Sequence, residues 1–203
     1  YARLAATSRL LDHHVPDRRA IAEAPPYRDS AEFAQDLAVL ADSLAANGSE
    51  RVARGRLRGL HRAAVIFGFH LAPLDMRQHS GVHEQVVSEL MAVAGINDYM
   101  QLDEIPRREA LLTALKQGKI LSSEQGKFSD TAQGELRIMQ AAADIHMSFG
   151  RSALPNYIIS MTKGVSDMLE VALMVQQSGL LGEGEGKQPA LHLNIIPLFE
   201  TID

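Results

Sequence analysis

Three short apolar runs constrain this chain most: "FHLAPLDM" at 69–76, "NYIISMT" at 156–162 and "LHLNIIPLF" at 191–199. Each has the length of a strand, and the second follows Pro155 with β-branched residues in sequence. The intervals between them are long and carry helical periodicity. A tight hairpin cannot bridge such intervals, so strands joined this way pair in parallel. The expectation is a helix-rich α/β fold with parallel strands near 69–76, 156–162 and 191–199.

The helical segments can be bounded in the same way. Leu4, Leu10 and Leu11 mark a helix over 1–12, and the proline-bearing "VPDRRAIAEAPPYRDS" (15–30) reads as a connector. Ser30 is the expected N-cap of a helix over 31–46, where Phe33, Leu37, Leu40 and Leu44 recur at helical spacing before Asn47-Gly48. Over 49–68, Arg51, Arg54, Arg58 and Arg62 form a basic stripe, Leu57, Leu60, Ala64 and Val65 an apolar side, and Gly68 the stop. Val82, Val86, Leu90 and Ala94 define a helix over 81–95. Two more are expected near 105–117 and over 131–149. Ser166 is the expected cap of a last helix over 167–178. "SSEQGKFSD" and "GEGEGKQ" (182–188) read as loops. Residues 1–68 are thus mainly helical, and 69–203 mix strand and helix.

Composition narrows the function classes. A chain of 203 residues with a net charge of −5 lacks the basic surplus of a nucleic-acid or anionic-membrane binder. There is no Cys, which excludes disulfides and thiolate chemistry and accords with a reducing cytoplasm. No apolar run approaches a membrane span, and the first residues have no signal-peptide core. The chain opens at Tyr1 without Met and stops just after a strand-like run, so a piece of a longer protein is expected.

Few local motifs survive scrutiny. His79 and His83 have the spacing of a helical metal pair, but a zincin needs Glu after the first His and Ser80 stands there. Capping or solvent-facing roles are preferred. The adjacent His13 and His14 point apart on any helix. The glycines of "GLLGEGEG" precede a strand, not a helix, and so do not form a phosphate-binding turn. The charges at strand ends carry more weight, because parallel sheets gather the side chains at their carboxyl ends on one rim. Arg77 in "LAPLDMRQHS" follows the first run, and Glu200 follows the third. An arginine and a carboxylate on one rim suit an anionic substrate and a divalent cation. Ordinary capping and ion pairing is the alternative.

At these residues the sequence resembles phosphoenolpyruvate carboxylase. "FGFHLAPLDMRQHSGVHEQVV", "NYIISMTKGVSDMLEVALMVQQSGL" and "IIPLFETID" look like consecutive blocks of that family, and "YRDSAEFAQDLAVLADSL" and "GRLRGLHRAAVIFGFHL" extend the likeness over most of the chain. The resemblance implies a partial (β/α)8 TIM-like barrel with long helical insertions, so that 1–203 is one internal fragment of a larger barrel enzyme. It implies a cytoplasmic homotetramer that uses Mg2+ or Mn2+ to join phosphoenolpyruvate and bicarbonate into oxaloacetate and phosphate. Bicarbonate attacks the phosphoryl group to give carboxyphosphate and an enolate, and the enolate takes up the carbon dioxide that carboxyphosphate releases.

By the same resemblance Arg77 matches the family's phosphate-binding arginine, and Glu200 of "PLFET" matches a metal ligand. The family's catalytic histidine and lysine, its second metal carboxylate and its Gly/Arg-rich loop have no match here. His79 stands where the family usually has Glu. The isolated chain is therefore expected to be inactive. The alternative reading is a non-catalytic helical interaction module built on the Arg stripe and the helices of 98–150.

Overall fold

The computed structural model describes residues 1–11, 23–118, 128–183 and 189–200. His13, His14, most of both expected loops and part of the 15–30 connector lie outside them. The chain divides into two compact units, Tyr1–Pro73 with Ser148–Ala153, and Leu74–Met147 with Leu154–Asp203.

In the first unit α1 (Ala2–Leu11) and α2 (Ser30–Ala46) are joined by polar contacts around Arg3. Its guanidinium lies 2.7 Å from Glu32 Oε1 and 4.1 Å from the centre of the Tyr27 ring, whose hydroxyl donates to Asp36 Oδ2 at 2.8 Å. The N-cap of α2 is Asp29, not the expected Ser30. Asp29 has extended backbone, and its Oδ1 accepts from Glu32 N at 2.8 Å; Ser30 is already the first helical residue. Phe33, Ala34 and Leu37 are buried with Tyr27 and Ala64, while Leu40 stays 54% exposed.

The expected 49–68 helix is interrupted. A short turn α3 (Glu50–Val52) runs through a π-helical stretch, Ala53–Leu57, into α4 (Arg58–Phe67). Gly55 has ψ −131 inside it, which breaks the helical register. Arg51 and Arg54 therefore lie on one side of a kink and Arg58 and Arg62 on the other, so the four do not share one regular helical stripe. Gly68 ends α4 at φ 54, and a Cβ there would meet the His70 ring at 2.8 Å.

The second unit holds a three-stranded parallel sheet of order β1-β2-β5, formed by β1 (Asp75–His79), β2 (Asn156–Ser160) and β5 (Asn194–Pro197). Parallel pairing is as expected, but the first strand is displaced. The apolar run 69–74 forms turns: Leu71 sits at φ 65, Ala72 N bonds back to His70 O, and Pro73 cannot donate to a ladder. The strand is the polar tail "DMRQH", stabilised by alternation. Met76 points to the core in register with Tyr157 and Ile195, while Asp75 and Arg77 face away. A side-chain ladder crosses the start of that outer face, from Asn194 Nδ2 to Asn156 Oδ1 and from Asn156 Nδ2 to Asp75 Oδ1, each 2.9 Å. The third expected strand is shorter than 191–199, because a separate antiparallel pair forms from β3 (Leu181–Glu183) and β4 (Pro189–Leu191).

Helices α5 (Ser80–Val93), α6 (Glu104–Gln117), α7 (Asp130–Phe149) and α8 (Val165–Gln177) complete this unit. α8 packs against both α5 and α6, and Val171, Leu173, Met174 and Val175 are at most 1% exposed. Burial of each such side chain contributes about 1.5–3 kcal/mol. Its N-cap is Gly164 rather than Ser166, and Asp167 Oδ2 accepts from the backbone N–H of Lys163 and Gly164. The fold is thus helix-rich around a small parallel sheet. Among the described residues no helix is long and apolar enough to cross a membrane.

Candidate functional site

The carboxyl end of the parallel sheet brings the two expected residues together. Arg77 is not beyond β1 but its third residue, opposite Ile158, with its side chain on the outer face. Pairing of β2 with β5 continues past the strands: Leu198 N donates to Ile159 O at 2.9 Å and Thr162 N to Leu198 O at 3.0 Å. This carries Glu200 back beside β2. Arg77 Nη2 and Glu200 Oε1 are 3.5 Å apart, with the two side chains 58% and 38% exposed. An exposed pair at that distance adds little stability. It does present a guanidinium and a carboxylate to the same space.

A third group reaches Glu200. Met161 N donates to the same Oε1 at 3.4 Å. Met161 has φ 58, the left-handed region, at a cost of about 1–2 kcal/mol for a residue with a Cβ. Ser80 Oγ fixes its carbonyl at 2.7 Å. The sequence places Ser160 to Thr162 at the end of the second strand but gives neither Met161 nor Ser80 a role, since nothing in "SMTKG" marks a methionine for a glycine-like conformation.

The neighbouring side chains have structural partners. Gln78 Nε2 donates to Glu135 Oε1 on α7 at 2.8 Å. His79 caps α5, its Nδ1 accepting from Gly81 N at 2.9 Å. His83 is fully buried instead of facing solvent, with Nε2 2.9 Å from the Tyr157 hydroxyl, and burial pulls its pKa down to about 4. A capping residue and a buried one have different partners, so the two do not act as a metal pair.

A polar cleft of about 350 Å3 also contains Ser80, with Glu84, Glu104, Arg107, Lys163 and Asp167 in its lining. Three of its acids, Glu84, Glu104 and Asp167, have partners within the fold. Glu84 pairs with Arg107 at 2.6 Å, Glu104 accepts from Ser166 N and Oγ, and Asp167 holds the start of α8. Beneath it Tyr99 donates to Glu170 Oε1 at 2.7 Å, and burial raises the Glu170 pKa to about 8.

For a hard divalent cation, Glu200 supplies a carboxylate oxygen of the right chemistry. Among the described residues no group of three His, Cys, Asp or Glu could complete a metal site. Glu200 has the chemistry of one such ligand, and a cation held there would need further ligands beyond the described residues.

Comparison with known proteins assigns the chain to a family. The phosphoenolpyruvate carboxylase family model matches residues 1–203. The chain is 51% identical over 205 residues to a phosphoenolpyruvate carboxylase of Nitrosomonas europaea and 50% identical over 203 residues to one of Azoarcus sp.. It is 45% identical over 204 residues to one of Bradyrhizobium diazoefficiens. Each alignment covers 100% of this chain but only 22%, 22% and 21% of the respective relative. The chain spans about a fifth of the length of the curated relatives it matches. From a family match along its whole length, the chain belongs to the phosphoenolpyruvate carboxylase family.

Proposed function

We propose that this chain is an internal, catalytic-side part of a phosphoenolpyruvate carboxylase, a lyase that fixes bicarbonate carbon by carboxylating phosphoenolpyruvate to oxaloacetate. The proximity of Arg77 and Glu200 at one end of a parallel sheet carries this reading. The three strands are then a segment of a (β/α)8 barrel, with 1–68 as helical elaboration and 69–203 as barrel portion. The parent works as a cytoplasmic homotetramer.

Arg77 binds the phosphate of phosphoenolpyruvate. A planar guanidinium offers two parallel donors to a phosphate, and it stays charged throughout the working pH range. Fixing it mid-strand reduces the freedom lost on binding. Glu200 serves as one ligand for Mg2+ or Mn2+, which when bound offers Lewis-acid stabilisation to developing oxyanion charge. With Arg77 holding the phosphate, bicarbonate oxygen attacks phosphorus as the bond to the enol oxygen breaks. Carboxyphosphate then separates into phosphate and carbon dioxide, and the enolate carbon attacks the latter. The proton-handling groups of this sequence lie on other parts of the parent.

Two measurements test this reading. Purified 203-residue chain is expected to give no oxaloacetate in a coupled assay, and clear turnover would show that no missing group is needed. In the full-length parent, Arg77→Ala is expected to weaken phosphoenolpyruvate use by about 10–100-fold, the loss for a charged hydrogen-bonding group. Wild-type rate and affinity together would end the phosphate-binding role.

A further inference from the structure

We propose that Ser80 is a positioning residue for the Arg77–Glu200 pair, acting through the strained backbone of Met161; this rests on the roles given to Arg77 and Glu200 above. Ser80 opens α5 immediately after β1 and is 3% exposed. A serine at a helix start ordinarily turns its hydroxyl onto the helix's own amides. Here His79 fills that role, and the Ser80 hydroxyl crosses to the next strand to donate to Met161 O at 2.7 Å.

Met161 is the residue that needs such a hold. Its φ of 58 is one that a side-chain-bearing residue keeps only when its surroundings over-determine it. On the carbonyl side the determinant is Ser80. The N–H of the same peptide, Thr162 N, is bonded to Leu198 O, and the Thr162 hydroxyl donates to Ile159 O at 3.1 Å. With that peptide fixed and Met161 at its positive φ, the N–H of the preceding peptide, Met161 N, lies 3.4 Å from Glu200 Oε1, and Arg77 reaches the same oxygen at 3.5 Å. Glu200 follows β5 rather than lying in it, so no sheet pairing fixes its carboxylate. Among the described residues, the Met161 N–H and Arg77 are its hydrogen-bond donors. Without the Ser80 hydroxyl, the Met161–Thr162 peptide loses one anchor, Met161 can relax toward negative φ, and its N–H changes direction relative to Glu200. One buried hydroxyl thereby links the residue that follows β1, the strand carrying Arg77, to the segment that contacts Glu200.

The test uses the full-length parent with Ser80→Ala, Ser80→Thr, Arg77→Ala and a core control, Val86→Ala. Four quantities are read: half-saturating phosphoenolpyruvate, kcat, the Mn2+ dissociation constant by calorimetry without substrate, and the thermal midpoint. Supporting residues of metal ligands typically cost 10–100-fold in affinity when removed. Ser80→Ala is expected to raise the Mn2+ dissociation constant and half-saturating phosphoenolpyruvate by about tenfold each, with a smaller change in kcat. Ser80→Thr, which keeps the hydroxyl, restores most of both. Val86→Ala lowers the thermal midpoint and leaves both constants in place. If Ser80→Ala behaves like Val86→Ala while Arg77→Ala loses substrate affinity, the positioning role is overturned and the site reading stands. If Arg77→Ala also keeps wild-type affinity, both fall.

Discussion

Replacing Glu170 by glutamine removes a titratable group from the interior of the second unit while keeping its shape and its acceptor for Tyr99. Glu170 is fully buried on α8, Oε1 accepts from the Tyr99 hydroxyl at 2.7 Å, and Oε2 has no partner. Burial is the chief reason its pKa rises from 4.5 to about 8. Asp167 and Glu84 add to the rise, and the Tyr99 bond and Arg107 oppose it. The folded state therefore keeps a proton that the unfolded state releases across this interval. The stability that proton carries is complete below pH 4.5 and is lost as pH climbs through 8. A rise of this size corresponds to on the order of 5 kcal/mol. Glutamine cannot ionise, so Glu170→Gln escapes the loss. Hydrogen exchange of α8 peptides in the full-length parent, compared at equal pH, reads the difference. The two proteins should exchange alike at pH 3.5, below the unfolded-state pKa. At pH 8.5 the glutamine variant should be the slower, by about fiftyfold if even half of that energy is realised. Equal exchange at both pH values would refute a neutral Glu170.

Two further outcomes follow from the packing. Tyr157→Phe removes the partner of His83 Nε2 and leaves both ring nitrogens unpaired in the interior, a loss of about 1–3 kcal/mol readable as a lower thermal midpoint. His83 has the opposite linkage to Glu170. With its folded pKa lowered from 6.5 to about 4, the protein loses stability as pH falls through that interval, and His83→Gln should lessen the acid sensitivity in a pH series of thermal melts. At the start of α2, Asp29→Ala should cost about 1 kcal/mol and Ser30→Ala much less, measured by exchange of the first α2 amides.

Much of this was legible in the sequence. The long helical intervals dictated parallel strands, and periodicity placed α5, α6, α7 and α8 within a few residues. Boundaries failed where a local choice had two candidates. Asp29 and Ser30 can both cap a helix, and the chain's approach to α2 decides for Asp29. The β1 displacement has the same character, since apolar content pointed to 69–76 while Pro73 and Leu71 turned that run aside and the alternation of "DMRQH" won. The buried polar pairs left a fainter signal. Glu170 lies beside Val171 and three residues before Leu173 on a heavily buried helix, and His83 precedes Val86 and Val87, so each interrupts an apolar face. Their partners, Tyr99 and Tyr157, are 71 and 74 residues away and could come only from the tertiary structure. At the site, residue types announced Arg77 and Glu200, but the Ser80–Met161 contact depends on a backbone conformation that no residue type there signals.

In the proposed function, Arg77 binds the phosphate of phosphoenolpyruvate. Calorimetric titration of the full-length parent with phosphoenolpyruvate, in the absence of bicarbonate, tests it without turnover. At least about a tenfold loss of affinity is expected in Arg77→Ala, and a partial loss in Arg77→Lys, which keeps the charge but not the paired donors. Unchanged affinity in Arg77→Ala would contradict it.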